Sequence, residues 1–253
     1  MDSTILQNAR LSAVAERQMR SWAQMQEMAA HAPAGNLADR PTARMVTYIT
    51  ISRESGTDGT LVARLVAEAL GWNDYGQNLR DHVAQWYKEP RLMLDLVDET
   101  VGNWMYDMFG PWMDRHLITH EKFLSQVGHM IQILARRGPA VFVGRGSQFL
   151  LPRAASLAVR LVAPEAYRVE RVQQRRNFAT RGEARRWVRQ VDSGRRDVIR
   201  RFFHHDITDP QLYDLVINVE RLGTAGAAEQ IVFAVRRSRE LAAAANAAKP
   251  SPK

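Results

Sequence analysis

The stretch Ser52-Arg53-Glu54-Ser55-Gly56-Thr57-Asp58-Gly59-Thr60 offers the first chemistry. Its two glycines let a backbone curl until successive N–H groups converge on one anion. A helix starting directly after them would add the positive end of its dipole. Such a loop suits a phosphate, although a tight turn with no ligand would use the same residues. It is not a complete GxxxxGK[ST] loop, because no lysine stands in it to reach the terminal phosphates. Gly144-Arg145-Gly146 is a second candidate, a guanidinium between glycines where a ligand can approach the backbone closely. The third is a run of twelve arginines between Arg168 and Arg201, set against four acids (Glu170, Glu183, Asp192, Asp197), a surplus of eight positive charges. Guanidinium presents a planar, permanently charged fork that matches phosphate oxygens.

Elements able to position these groups follow from the apolar patterning. Met45 to Ser52 is short, apolar and β-branched, and reads as a buried strand feeding the glycine loop. Thr60 to Leu70 follows as a helix, with Leu61, Leu65 and Ala69 on one face and Gly71 as its stop. Strands are also expected over Ala140–Val143, Ser156–Ala163 and Tyr213–Val219. Helices are expected over most of 78–137, over 164–191 with a break near Thr180-Arg181-Gly182, and over 224–241. Strands separated by helices, with no hairpin signals, predict an α/β fold with a parallel sheet covered on both faces. Ligands of such sheets bind beyond the carboxyl ends of the strands. The loop at 53–59 and the Gly-Arg-Gly at 144–146 should therefore face one crevice.

Outside that frame, residues 4–30 carry Leu11, Ala15, Met19, Trp22, Met25 and Met28 at helical spacing, a stripe that reads as packing surface. Residues 31–42 look like a linker. The Trp- and Met-rich part of 78–137 reads as core or helix contact. Both segments could serve a homodimer. The expected organisation is thus a helix and linker at 1–44, an α/β domain at 45–241 and a disordered tail at 242–253. Within the domain, 78–137 is a helical acceptor-side segment and 165–206 a lid.

Composition removes several function classes. The chain of 253 residues has no cysteine, which excludes disulfides, thiolate catalysis and Cys-ligated metals. Its longest uncharged stretch, Phe123 to Ala135, is too short for a membrane span, and the N-terminus lacks a secretory pattern. A soluble, cytoplasmic protein with no membrane partner is expected. The net charge is +8, and 31 of the 35 basic residues are arginine, so an anionic partner is natural. Nucleic acid is the weaker choice, since the arginine run interleaves few aromatics (Phe178, Trp187). His204-His205-Asp206 does not make a metal site, because adjacent side chains diverge. Gly144-Arg145-Gly146-Ser147-Gln148 is not a G-x-S-x-G nucleophile turn.

The run ITISRESGTDGTLVARLVAEALGW resembles the cytidylate kinase-like family, whose members open with a strand, SRE, a glycine loop and a similar helix. AVFVGRGSQFLL, VAPEAYRVERV and DSGRRDVIRRFFHHDITDPQLYDLVINVERLG resemble later family segments in the same order, so the likeness spans roughly 45–235. It implies a P-loop kinase-like three-layer fold with an arginine-rich helical lid. The implied activity is transfer of the γ-phosphoryl of ATP, with Mg²⁺, to a nucleoside monophosphate or similar small acceptor. By that resemblance Arg53, Gly56, Thr57, Asp58, Gly59 and Thr60 hold the donor phosphates, with the Thr60 hydroxyl meeting Mg²⁺. Arg145 reaches the acceptor phosphate. Asp197 and Arg200 match an Asp-x-x-Arg that faces a pyrimidine nucleotide, and Arg168, Arg171 and Arg175 flank the transferred phosphoryl. From spacing alone, Asp197 and Arg200 could equally be an exposed ion pair.

Three departures bear on catalysis. Asp58 stands where true cytidylate kinases place the loop lysine. Gly76 replaces an aspartate expected after the second strand, with Asp74 nearby. Ser193 sits where a lid arginine is expected. They support a second reading, a degenerate kinase fold that binds a nucleotide without turnover and acts as a regulatory module.

Overall fold

The computed structural model describes residues 45–76, 131, 134–135, 137–144 and 146–247. The expected N-terminal helix and linker, most of the helical segment 78–137, Arg145 and the last residues of the tail lie outside them.

Five short strands form one parallel sheet in the order β2-β3-β1-β4-β5: β1 (Tyr48–Arg53), β2 (Asn73–Tyr75), β3 (Ala140–Val143), β4 (Ser156–Val162) and β5 (Leu215–Asn218). Continuous burial along β3 and β4 explains why they read as unbroken apolar runs, since each has both faces covered. β1 is central. Its Tyr48 lies beside Ala140 of β3 and Ser156 of β4, and the pairing with β4 continues to Arg53 and Leu161.

Alternate β1 side chains divide the core. Ile49 and Ile51 join Val141, Val159 and Leu161 beneath two helices, α1 (Gly59–Leu70) and the long C-terminal helix. On the opposite face Tyr48 joins Phe142, Leu150 and Leu151, covered by Ile131, Leu134 and Ala135 of a further helical segment. Both faces are therefore covered, as the pattern predicts. α2 (Ser147–Leu150) follows β3, and α3 (Glu165–Arg176) and α4 (Arg181–Phe203) follow β4. α3 and α4 pack on each other through a small core of their own, Val169, Val172, Ala184 and Val188. The break between them falls at 177–180, just before the expected place. Thr180 caps α4 in a reciprocal box with Glu183, so the helix starts at Arg181.

The chain end corrects one expectation. α5 (Val219–Ala247) begins directly after β5, bends at Gly223 and runs on through residues 242–247, which were expected to be disordered. Ala242 is buried, and the alanine run around it has the highest helix propensity of any residue type. No helix among the described residues is long and apolar enough to cross a membrane.

Candidate phosphate-binding site

The loops after β1 and β3 leave neighbouring strands at their carboxyl ends, and Arg53 joins them. Its side chain runs past Gly59 and covers Gly144. A Cβ at Gly144 would lie 2.0 Å from Arg53 Nη1, which leaves room for no other residue. The two candidate loops thus share one crevice, with Arg53 in it.

The loop is shaped from within. Thr57 is buried, and its hydroxyl donates to the Glu54 carbonyl at 2.8 Å, so its side chain locks the turn. Gly56 has φ 87°, and a Cβ there would stand 2.6 Å from the Arg168 carbonyl oxygen. Backbone of α3 therefore lies directly on the loop. The Glu54 carboxylate accepts from the Ala163 N–H at 3.2 Å and pairs with Arg168 at 3.3 Å, tying the loop to the start of the lid.

Behind the loop lies a buried ionic network that the sequence reading did not identify. Asp192 of α4 accepts from the Ser55 N–H and the Ser55 hydroxyl, each at 2.9 Å, from Arg168 at 2.6 Å and from Arg195 at 3.1 Å. Arg195 also donates to the Arg53 carbonyl at 3.2 Å and the Ser55 hydroxyl at 3.0 Å, while its Nε has no partner. Burial lowers its pKa, opposed chiefly by the Asp192 charge. Arg160 of β4 donates to the Ser52 hydroxyl at 3.1 Å and lies 3.8 Å from Glu54. Three guanidiniums (Arg160, Arg168, Arg195) thus face two carboxylates (Glu54, Asp192), which leaves the base of the loop positive.

Arg168, expected to flank the transferred phosphoryl, is 12% exposed and engages Asp192, Glu54 and the Ala163 carbonyl. It is a strut between loop, α3 and α4. Arg195 lies two positions beyond Ser193 and brings a lid guanidinium to the loop, although nothing in its spacing separated it from eleven other arginines.

Asp58 immediately precedes α1 in the left-handed conformation, φ 56° and ψ 33°. Its side chain is 2% exposed and turns inward to α3. Oδ2 accepts from Arg171, and Oδ1 forms an ion pair with Arg175. That second contact lacks hydrogen-bonding geometry, so Oδ1 accepts no hydrogen bond. The Asp58 bond, then its charge, raises the Arg171 pKa further. No side chain caps the N-terminus of α1, so the positive end of that helix is left for another acceptor.

Thr60 stands in the first turn of α1, its Cγ2 3.5 Å from where a Gly76 side chain would begin. Asp74, the middle residue of β2, accepts from the Gly76 N–H at 2.7 Å, and burial raises its pKa above the ordinary 3.8. Thr60 and Asp74 carry hard oxygen donors of the type Mg²⁺ takes, while the Asp58 carboxylate is engaged by Arg171 and Arg175. Among the described residues no group of three or more His, Asp or Glu side chains forms a metal cluster by itself. Asp197 and Arg200 are exposed on α4 and are not brought to the loop. Arg145 lies outside the described residues, flanked by Gly144 and by Gly146, whose side-chain space is filled by the Phe203 ring.

A parallel sheet with a glycine loop between its central strand and an uncapped helix, overlain by arginine-bearing helices, is a kinase-like α/β arrangement. The family model described as the cytidylate kinase-like family matches residues 48–221, and the chain belongs to that family. No curated protein matches the chain. Among solved structures, an uncharacterized protein from Eubacterium ventriosum ATCC 27560 shares 21% identity at a TM-score of 0.56, covering 77% of this chain and 99% of its own. A gluconokinase from Sinorhizobium meliloti 1021 shares 15% identity at a TM-score of 0.48, with 78% and 95% covered. The shikimate kinase from Acinetobacter baumannii, in complex with shikimate, shares 13% at 0.45, with 78% and 96% covered.

Proposed function

We propose that the protein is an ATP-dependent phosphotransferase of the cytoplasm whose acceptor is a nucleoside monophosphate or another small hydroxyl- or phosphate-bearing molecule. The observation that carries this reading is the convergence of Arg171 and Arg175 of α3 on the junction of loop and α1. Phosphoryl transfer is catalysed mainly by positioning and by neutralising charge on the transferred group. Cations delivered from a lid onto a helix N-terminus are the equipment it needs. The donor phosphates would rest on the loop at 53–60, with Mg²⁺ held between them and Thr60. Arg53 would supply positive charge at the crevice where a loop lysine is missing. Arg145 would face the acceptor phosphate, and Asp197 and Arg200 would meet its base once α4 moves toward it.

A second reading, a nucleotide-binding module without turnover, is favoured by one observation. Asp58 occupies the lysine position and holds the two arginines itself. A thermal-shift and calorimetric panel separates the two, using ATP, CTP, CMP, dCMP, UMP and AMP, each with and without Mg²⁺. A ligand at a hundred times its dissociation constant adds about 2.7 kcal/mol of stability. The kinase reading expects binding of a triphosphate and a monophosphate, and release of ADP when both are present. Triphosphate binding with no ADP release for any acceptor would leave the module, and no binding at all would sink both.

A further inference from the structure

The cation set over α1 already has an anion on it, and that anion belongs to the chain. Asp58 lies at the uncapped N-terminus of α1 with its side chain 2% exposed, contacted by guanidiniums from two successive turns of α3. Arg171 and Arg175 are 41% and 58% exposed, so both have open water on their outer sides. The fit is incomplete in two respects. One carboxylate faces two guanidiniums, which leaves an uncompensated positive charge. Its buried Oδ1 meets Arg175 as an ion pair outside hydrogen-bonding geometry, so only Oδ2 takes a directed bond. Asp58 also holds a positive φ of 56°, where a side chain is uncommon. A terminal phosphoryl group, with up to two charges and three acceptor oxygens, would satisfy the same donors more fully.

We infer that Asp58 is an internal competitor for ligand phosphate. It occupies Arg171 and Arg175 while the site is empty, fastens α3 to the loop through them, and is displaced by the terminal phosphoryl of a polyphosphate. This rests on the nucleotide reading above and adds to it the residue that sets which anions enter. A singly charged carboxylate or sugar acid brings no more charge than Asp58 and does not displace it. A nucleoside triphosphate or inorganic tripolyphosphate does. Displacement passes Arg171 and Arg175 from Asp58 to the phosphoryl group, so the ligand takes over the tie between α3 and the loop.

The test compares the full chain with Asp58→Gly, which suits the positive φ, and with the near-isosteric Asp58→Asn. ATP and tripolyphosphate are titrated calorimetrically in EDTA, because a divalent cation on Asp58 would mask its competition. Both variants should bind about tenfold more tightly than the parent, the equivalent of one charge-assisted hydrogen bond regained. Hydrogen exchange of the ligand-free proteins supplies the second readout. Amides of residues 165–176 should exchange faster in both variants, while those of β1 and β4 stay protected. Equal affinities with unchanged exchange in α3 would overturn the competitor and leave the nucleotide reading standing. Weaker binding in the variants would also overturn it, by making Asp58 a ligand group. Absence of binding by parent and variants alike would overturn the nucleotide reading and the competition together.

Discussion

Asp192 reaches across 137 positions of sequence to Ser55, accepting from both its backbone N–H and its hydroxyl at 2.9 Å. A single carboxylate oxygen thereby fixes the loop from behind, while its partner oxygen binds Arg168 at 2.6 Å. The loop is braced by the lid as much as by the strand that precedes it. Removing this carboxylate would leave Arg168 and Arg195 without their closest counter-charge, and breaking one side of a buried pair is far costlier than never making it.

Asp192→Ala should therefore lower unfolding stability by about 3 kcal/mol, measured by urea denaturation at neutral pH. Asp192→Asn should lose less, because an amide oxygen can still accept from Ser55. A loss below about 1 kcal/mol for the alanine variant would place the pair in the class of weak surface bridges and contradict the bracing role.

Burial pushes the Asp74 carboxyl above its ordinary value of 3.8, outweighing the hydrogen bond from Gly76 and the Arg64 charge. A carboxyl with a raised folded pKa holds its proton more tightly when native. The stability this brings is fully present below the unfolded pKa and is lost as pH rises through the folded one. Ionised Asp74 thus weakens the fold at neutral pH. Asp74→Asn keeps an acceptor for the Gly76 N–H and should be the more stable form at pH 7, by less than about 1 kcal/mol for a group still partly in water. The advantage should shrink as pH falls and vanish only well below 3.8. A difference that stays constant with pH would assign the effect to packing instead of charge.

Much of the fold was legible because buried parallel strands write themselves as apolar runs. YITIS, AVFV and SLAVRLV each lie where the runs fall. The shared crevice was legible too, since strands of one sense must release their loops at one edge. The ionic network was not. Asp192 reads as one acid among many arginines on a solvated helix, and only the packing of α4 on the loop makes it central. The direction of Asp58 was equally hidden. Sequence places a carboxylate beside an expected phosphate, where repulsion would turn it outward. The left-handed backbone and the two arginines of α3 hold it inward instead. The end of α5 was misjudged because an alanine-rich tail reads alike as frayed coil or helix until the burial of Ala242 decides it.

The start of α4 depends on a local device that can be tested alone. Thr180 accepts from the Glu183 N–H at 3.2 Å, and Glu183 accepts from the Thr180 N–H at 3.1 Å. Thr180→Ala should cost about 1 kcal/mol in urea denaturation, and Thr180→Ser very little. Equal costs for the two substitutions would show that the methyl group, and not the cap, matters there.

Gly56 and Gly71 separate two reasons for a glycine. Both have positive φ, 87° and 66°, so alanine is strained at either place. At Gly71 nothing lies within 4 Å of a new Cβ, whereas at Gly56 the Arg168 carbonyl oxygen would be 2.6 Å away. Gly71→Ala should cost about 1 kcal/mol from backbone conformation alone. Gly56→Ala carries the same strain and must also push α3 off the loop, which stretches the contacts of Arg168 with Asp192 and Glu54. Its cost should be about 3 kcal/mol, and proteolysis should open the segment 165–203 before the sheet. Matching losses for the two variants would mean that α3 yields freely at Gly56, and the close seating of lid on loop would then carry no stability.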